Sequence, residues 1–270
     1  MSIGRFIKAL TPSKDALITA KVNQFLIHHP DGLLLNEDGT DLADETKDLF
    51  LSIMQRTYGA NSDRTGRFGA SSRGKCQRAQ LYLFWGVRPS VIDGPDLRLQ
   101  NIFNDGKMRH VRWQVMAVQS GALTHAEYPL SMSKYRLTSS TDGLNSYDNF
   151  LFELKCDRYL PRLLSEGIPE AHLLQMHTMM LMTGWEKFSY VMEDKTSQEW
   201  RELVVNRDEE VINRVVVELE ELNEHVEART FPEPLTPCKA KEGPYKTCAY
   251  AKACIRQWKR NTIWPDEDDE

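Results

Sequence analysis

The sequence predicts an α/β domain with a helical N-terminal portion, and three observations carry that prediction. Apolar residues recur every three to four positions through much of residues 13–120, and again at 170–183 and 208–229. Between 127 and 156 the texture changes to short apolar runs broken by Asp-Gly and Tyr-Asp-Asn turns. A further short apolar run, residues 188–193, lies between two helical stretches, so helices and strands alternate along the second half of the chain.

Each element has its own signal. Leu17, Ile18, Val22, Phe25 and Leu26 predict a helix over 13–29, and Leu42, Leu49, Phe50, Ile53 and Met54 a second over 42–57. Residues 59–74, rich in Gly, Ser, Asn and Arg, read as a loop. A helix carrying Tyr82, Phe84 and Trp85 follows over 76–86. A longer one over 96–120 uses Leu97, Ile102, Met108, Val111, Val115 and Val118, and Gly121 stops it. Strands are predicted at 135–138, 141–144, 150–156 and 188–193. The helix over 170–183 carries Met176, Met179, Met180 and Met182, which suit core packing. The helix over 208–229 is strongly amphipathic, and Pro232, Pro234 and Pro237 end it.

With 270 residues the chain can form one large domain, or one with a small appendage. No apolar run approaches the roughly 20 residues that span a bilayer. Arg5 and Lys8 precede no apolar core or cleavage site, so the expectation is a cytoplasmic protein without a membrane association. The net charge is −5, but the five residues Asp266 to Glu270 are all acidic, and without them the body is balanced at 34 charges of each sign. A local basic track is therefore compatible with the composition. Five cysteines, an odd number without a secretory signal, favour metal binding or burial over disulfides.

The chemistry centres on Phe150-Leu-Phe-Glu-Leu-Lys155. On a strand, alternate residues share a face, so Leu151, Glu153 and Lys155 point one way and Phe150, Phe152 and Leu154 the other. Aiming a carboxylate and an amine together from an apolar strand is unfavourable unless they are paired or used. Asp142, beside Gly143 on the preceding hairpin strand, can fold next to Glu153. Two carboxylates suit magnesium or manganese, which prefer oxygen ligands. A lysine beside them can stabilise extra negative charge in a phosphodiester transition state.

These residues resemble the RecB-type PD-(D/E)XK nucleases, in particular the iron–sulfur branch that includes the AddB nuclease domain and the CRISPR-associated adaptation exonuclease. The matches follow the family's order: Gly106 and His110 on the long helix, Asp142, Glu153-Leu-Lys155, and Gln175 on the next helix. Together with the cysteines they span residues 71–256. The resemblance implies a restriction-endonuclease-like core: a small central mixed sheet flanked by helices. It implies His110, Asp142, Glu153 and the backbone carbonyl of Leu154 as ligands of magnesium or manganese, with Asp142, Glu153, Lys155 and Gln175 as catalytic residues. One position departs: the tyrosine expected four residues after Gln175 is Met179.

Cys238, Cys248 and Cys254 follow the core and Cys76 precedes it. Thiolates suit an iron–sulfur cluster or zinc. The resemblance implies a 4Fe-4S cluster on these four, stapling the C-terminal segment to the core. Zinc is the alternative, although no local C-x-x-C knuckle is present. Cys156 reads as a buried thiol on the strand face opposite Lys155.

The resulting division, within what reads as one compact unit, is a helical portion at 1–75, a nuclease core at 76–230, a cysteine-bearing segment at 231–260 and an acidic tail at 261–270. Arg73, Lys75, Arg78, Arg109 and Arg112 are candidate DNA contacts. Further basic residues at Arg64, Arg67, Lys107, Lys252, Arg256, Lys259 and Arg260 could extend the track, and Tyr82, Trp85, Tyr250 and Trp258 could stack on bases. The expected activity is a DNA exonuclease acting on single-stranded or free ends in recombination, repair or phage DNA processing. A non-cleaving module that binds DNA ends is the alternative.

Overall fold

The computed structural model describes residues 16–28, 44–58, 65–87, 89, 97–157, 166–233, 248–251 and 253–254. Cys238, Arg64, Lys252, Arg256, Trp258, Lys259, Arg260 and the acidic tail lie outside the described residues.

Six helices are described: α1 (Thr19–His28), α2 (Asp44–Tyr58), α3 (Gln77–Phe84), α4 (Leu97–Gln119), α5 (Glu170–Thr183) and α6 (Glu209–Ala228). The strands are β1 (Phe68–Gly69), β2 (His125–Met132), β3 (Leu137–Asn145), β4 (Phe150–Asp157), β5 (Lys187–Asp194) and β6 (Trp200–Asn206). They form one mixed sheet in the order β1-β3-β4-β5-β6, with β2 on the other edge of β3. Strand β4 pairs antiparallel with β3 and parallel with β5, and α5 supplies the crossover between the parallel pair. The chain is thus an α/β protein with a central mixed sheet flanked by helices.

The first half of strand β4 is apolar on both faces, and helices cover both. Phe150, Phe152 and Leu154 pack with Trp113, Met116 and Ala117 of α4 and Ile18 and Val22 of the N-terminal portion. Leu151 packs on the other side with Met176, Met179 and Met180 of α5 and Phe188, Tyr190 and Met192 of β5. The stripe of α6, Val215, Leu219 and Leu222, closes a third cluster with Phe68, Leu81, Phe84, Leu137 and Leu174. Helix α2 lies along α4 through Ile53, Val111 and Val115.

Local signals set the ends. Asp208 caps α6 by accepting from the Glu210 N–H at 2.8 Å. Gly184 and Gly121 end α5 and α4 with φ of 74° and 67°, in the left-handed region where a Cβ is unfavourable. At the other end of the sheet, Glu202 of β6 fastens the start of α1. Its carboxylate accepts from the backbone N–H of Leu17 (2.9 Å), Ile18 (3.1 Å) and Thr19 (2.9 Å), and from the hydroxyls of Thr19 (2.8 Å) and Ser189 (2.7 Å). An N-terminal helix whose own capping position is met by a strand far away in sequence cannot be read as a separate unit.

Four strands differ from the sequence reading. Strand β1 sits inside the stretch read as a loop and pairs with β3 through Phe68↔Leu137. Strand β2 contains Pro129 and lacks clean alternation, which is tolerated because β2 is an edge strand. Strand β6, with partly exposed residues at most positions, gives no strong period. The two strands read at 135–138 and 141–144 are one, β3, and Tyr135 lies in the short 3-10 turn before it. Among the described residues no helix is long and apolar enough to cross a membrane.

Candidate active site

The site forms where β3 and β4 part. Their ladder runs from Asn145↔Phe150 to Gly143↔Phe152, and the same register sets Asp142 opposite Glu153. Beyond that point side chains replace the ladder. Asp142 Oδ2 accepts the Leu154 N–H at 2.7 Å, and the Thr141 hydroxyl donates to the Phe152 carbonyl at 2.8 Å. The hairpin is held by Asn145, whose side-chain oxygen accepts from the Tyr147 and Asp148 N–H groups, each at 2.9 Å. Gly143 is required by close approach: a Cβ there would sit 2.4 Å from the Leu123 side chain and 3.0 Å from the His125 carbonyl.

Into this gap comes α4. His110 Nδ1 lies 3.2 Å from Asp142 Oδ2, with side chains 23% and 14% exposed. From α5, the Gln175 amide donates to Glu153 Oε1 at 2.9 Å, and Lys155 Nζ bonds the same oxygen. The structure therefore brings together His110, Asp142, Glu153, Lys155 and Gln175. Leu154 meets Asp142 through its N–H; a strand residue's N–H and C=O face the same edge, so its carbonyl opens toward the same gap.

Electrostatics follow from this crowding. Burial, reinforced by the neighbouring Asp142 carboxylate, pushes Glu153 up to about 7. Burial would also raise Asp142, but His110, Lys155 and the Leu154 N–H together hold it below the usual range. Burial alone would depress His110, yet Asp142 outweighs it and the imidazolium is favoured. Lys155 behaves likewise: desolvation disfavours its charge, and Glu153 and Asp142 restore it.

Sequence reasoning missed Glu127. The register Ala126↔Gly143 and Tyr128↔Thr141 sets Glu127 opposite Asp142, so three carboxylates stand abreast on β2, β3 and β4. Its φ of 49° is left-handed, unusual within a strand. Gln114, one turn beyond His110 on α4, donates to it at 2.7 Å. Burial and then Asp142 raise its pKa. Only knowledge of the β2–β3 pairing could have revealed it, and β2 carries a weak strand signal.

The donor set, two buried carboxylates and an imidazole, fits a divalent cation, which would offset the burial and the Asp142 repulsion that raise Glu153. Among the described residues no three His, Cys, Asp or Glu side chains already converge as a cage. His110 is tied to Asp142 and Lys155 to Glu153.

The candidate DNA contacts are largely engaged inside the protein, which corrects the basic track read from the sequence. Arg73 is 1% exposed, bonds Gln80 and lies 3.5 Å from Glu218. Arg78, 7% exposed, donates to the Pro232 carbonyl at 2.7 Å and covers the Phe231 ring. Arg109 and Arg112 both grip Glu193, a fully buried carboxylate of β5 that also accepts the Trp113 indole N–H at 2.9 Å. Of the five, Lys75 alone is fully at the surface. Tyr82 is buried and stacks on Tyr250, and Trp85 meets Phe231 edge-on, so these rings pack within the fold.

Of the cluster cysteines, Cys76 is the N-cap of α3, and Cys254 lies against Arg78 and Tyr82 in the first and second turns of that helix. Cys248 Sγ accepts the Tyr250 N–H at 3.4 Å. Among the described residues none of the three forms a disulfide. Cys156 packs on the α4 side of the sheet; burial and then Glu193 push its thiol up to about 12.

A mixed α/β sheet with a carboxylate pair at the parting of two strands is the class of protein defined here. No protein-family model matches the sequence, and no curated protein does. Solved structures give faint likenesses. An alkaline exonuclease from Laribacter hongkongensis is 19% identical, with 67% of this chain and 93% of that one covered and a TM-score of 0.45. Its complex with dAMP gives 18%, 61%, 90% and 0.44. A phage-related exonuclease from Haemophilus somnus 129PT gives 12%, 72%, 85% and 0.34. At such scores these likenesses carry no residue role to this chain.

Proposed function

We propose that this protein is a metal-dependent DNA nuclease, an exonuclease on single-stranded or free ends. The observation that carries the reading is the meeting of His110, Asp142, Glu153 and Lys155 where β3 and β4 part, with Gln175 fixing Glu153. Asp142, Glu153, His110 and the Leu154 carbonyl would hold magnesium or manganese. That ion would supply positive charge at the phosphate and acidify water. Lys155 keeps an ammonium beside Glu153, placed to stabilise negative charge as water attacks phosphorus and leaves a 5′-phosphate and a 3′-hydroxyl. Gln175 and the Leu154 N–H keep the two carboxylates in fixed orientations.

The test uses end-labelled linear and circular DNA, single- and double-stranded, with magnesium or manganese. Wild type is expected to shorten linear DNA from its ends. Glu153→Ala is expected to bind DNA and cleave none. Wild type that binds ends but never cuts would replace this reading with a non-cleaving end binder.

The pH dependence has a definite sign. A cation competes with the proton on Glu153, whose pKa is about 7 without metal. Metal affinity is therefore expected to rise roughly tenfold per pH unit below 7 through Glu153, and to level off only once His110, whose imidazolium is favoured, has also lost its proton. A carboxyl raised in the folded state stabilises the fold fully only below its unfolded pKa, and that contribution is lost as pH rises through 7. His110, also raised, acts in the same direction. Thermal melts should show a metal-induced rise in Tm that grows from pH 5.5 to pH 8.

We further propose a structural 4Fe-4S cluster on Cys76, Cys238, Cys248 and Cys254. Its support is the docking of Cys254 on the helix that Cys76 opens. Brown colour and visible absorbance after anaerobic purification are expected; a colourless sample with stoichiometric zinc would replace the cluster with zinc.

A further inference from the structure

The helix that delivers His110 continues outward on the same face. Residues three, four and seven apart share one side of a helix, so Gln114, His110, Gly106 and Phe103 form a single stripe along α4. Gln114 is buried and bonded to Glu127, and His110 is partly exposed at the site. A Cβ added at Gly106 would meet nothing within 4 Å, and Phe103 is 57% exposed. Phe103 lies about 10 Å along the axis from His110, roughly the reach of one or two nucleotides.

Packing does not explain the two outer residues. Helix α2 approaches on an adjoining side, where the Tyr58 hydroxyl donates to the Asn104 carbonyl at 3.2 Å and Lys107 lies over the Tyr58 ring at 5.1 Å. Gly106 is left open, although glycine is a poor residue for a helix interior. An open glycine one turn from the site, followed by an exposed ring on the same line, is a surface shaped for a thin polymer with flat bases.

We propose that Phe103, Gly106 and His110 form a track for one DNA strand: the sugar-phosphate chain beside the cleaved phosphate passes over Gly106, and a neighbouring base stacks on Phe103. This rests on the nuclease reading above and extends it to the residues that guide the strand.

The experiment measures anisotropy of a fluorescein-labelled single-stranded oligonucleotide of mixed sequence, with calcium as the metal, for wild type, Gly106→Ala, Gly106→Leu and Phe103→Ala. Gly106→Ala should raise Tm by roughly 2 °C, since nothing opposes its Cβ. Gly106→Leu should keep or raise Tm yet weaken DNA binding roughly tenfold, because its side chain fills the path. Phe103→Ala, at an exposed position, should weaken binding roughly tenfold with Tm unchanged. Wild-type affinity in both Gly106→Leu and Phe103→Ala would overturn the track while leaving the nuclease reading intact if wild type still cleaves. A change of oligomeric mass in Phe103→Ala, with DNA affinity kept, would also overturn it by assigning the ring to a contact between copies. Wild type without DNA affinity would overturn both.

Discussion

Lys155→Ala is expected to slow DNA cleavage by roughly a thousandfold while leaving metal affinity equal or higher. The split follows from what Lys155 touches. Its ammonium bonds Glu153 Oε1 and is drawn to Asp142 as well. Removing it leaves two buried carboxylates with less positive charge between them, which strengthens their hold on a divalent cation. A transition state that gains negative charge on phosphate oxygens meanwhile loses its nearest fixed cation. Calorimetric titration with manganese and single-turnover cleavage on the same sample check both halves. Recovery of the full rate simply by adding metal would mean that Lys155 serves only to balance charge in the resting protein.

Glu193→Ala is expected to destabilise the fold by about 3–5 kcal/mol, the range for breaking one side of a buried charge network. This carboxylate has no exposure and gathers Arg109, Arg112 and the Trp113 indole from three positions along α4. Without it Arg112 loses its recorded counter-charge, Arg109 keeps only Asp105, and Trp113, packed edge-on to Trp200 at 5.1 Å, loses its acceptor. Glu193→Gln should fall between wild type and alanine, since an amide still accepts hydrogen bonds. Urea denaturation gives the difference, and a loss within 1 kcal/mol for alanine would show that the clamp adds little. His110 lies between Arg109 and Arg112, so the same clamp sets the depth of α4 in the site.

Asp142, Glu153 and Lys155 were legible because strand alternation is a local rule, whereas His110 and Gln175 came only from the family resemblance. The β3–β4 hairpin announced itself through the Tyr-Asp-Asn turn at 147–149, whereas Asp142-Gly143, read as a turn, lies inside β3. Glu127 was not legible, since its position facing Asp142 depends on an edge strand with Pro129 inside it and partly exposed residues around it. The arginines misled for a different reason. Basic residues near a candidate site read as a phosphate track, and nothing local distinguishes that from a long-range partner such as Glu193 or Glu218. Strand β1 and the Glu202 contact share this property: each joins segments distant in sequence, and neither leaves a periodic trace.

Fastening α1 to β6 makes the described fold a closed circuit. Trimming the gene to begin after Thr19 would remove four of the five donors that Glu202 holds, and would leave a carboxylate that is 8% exposed with Ser189 as its remaining recorded donor. An expression clone drawn tightly around the sheet would therefore damage the sheet it was meant to isolate.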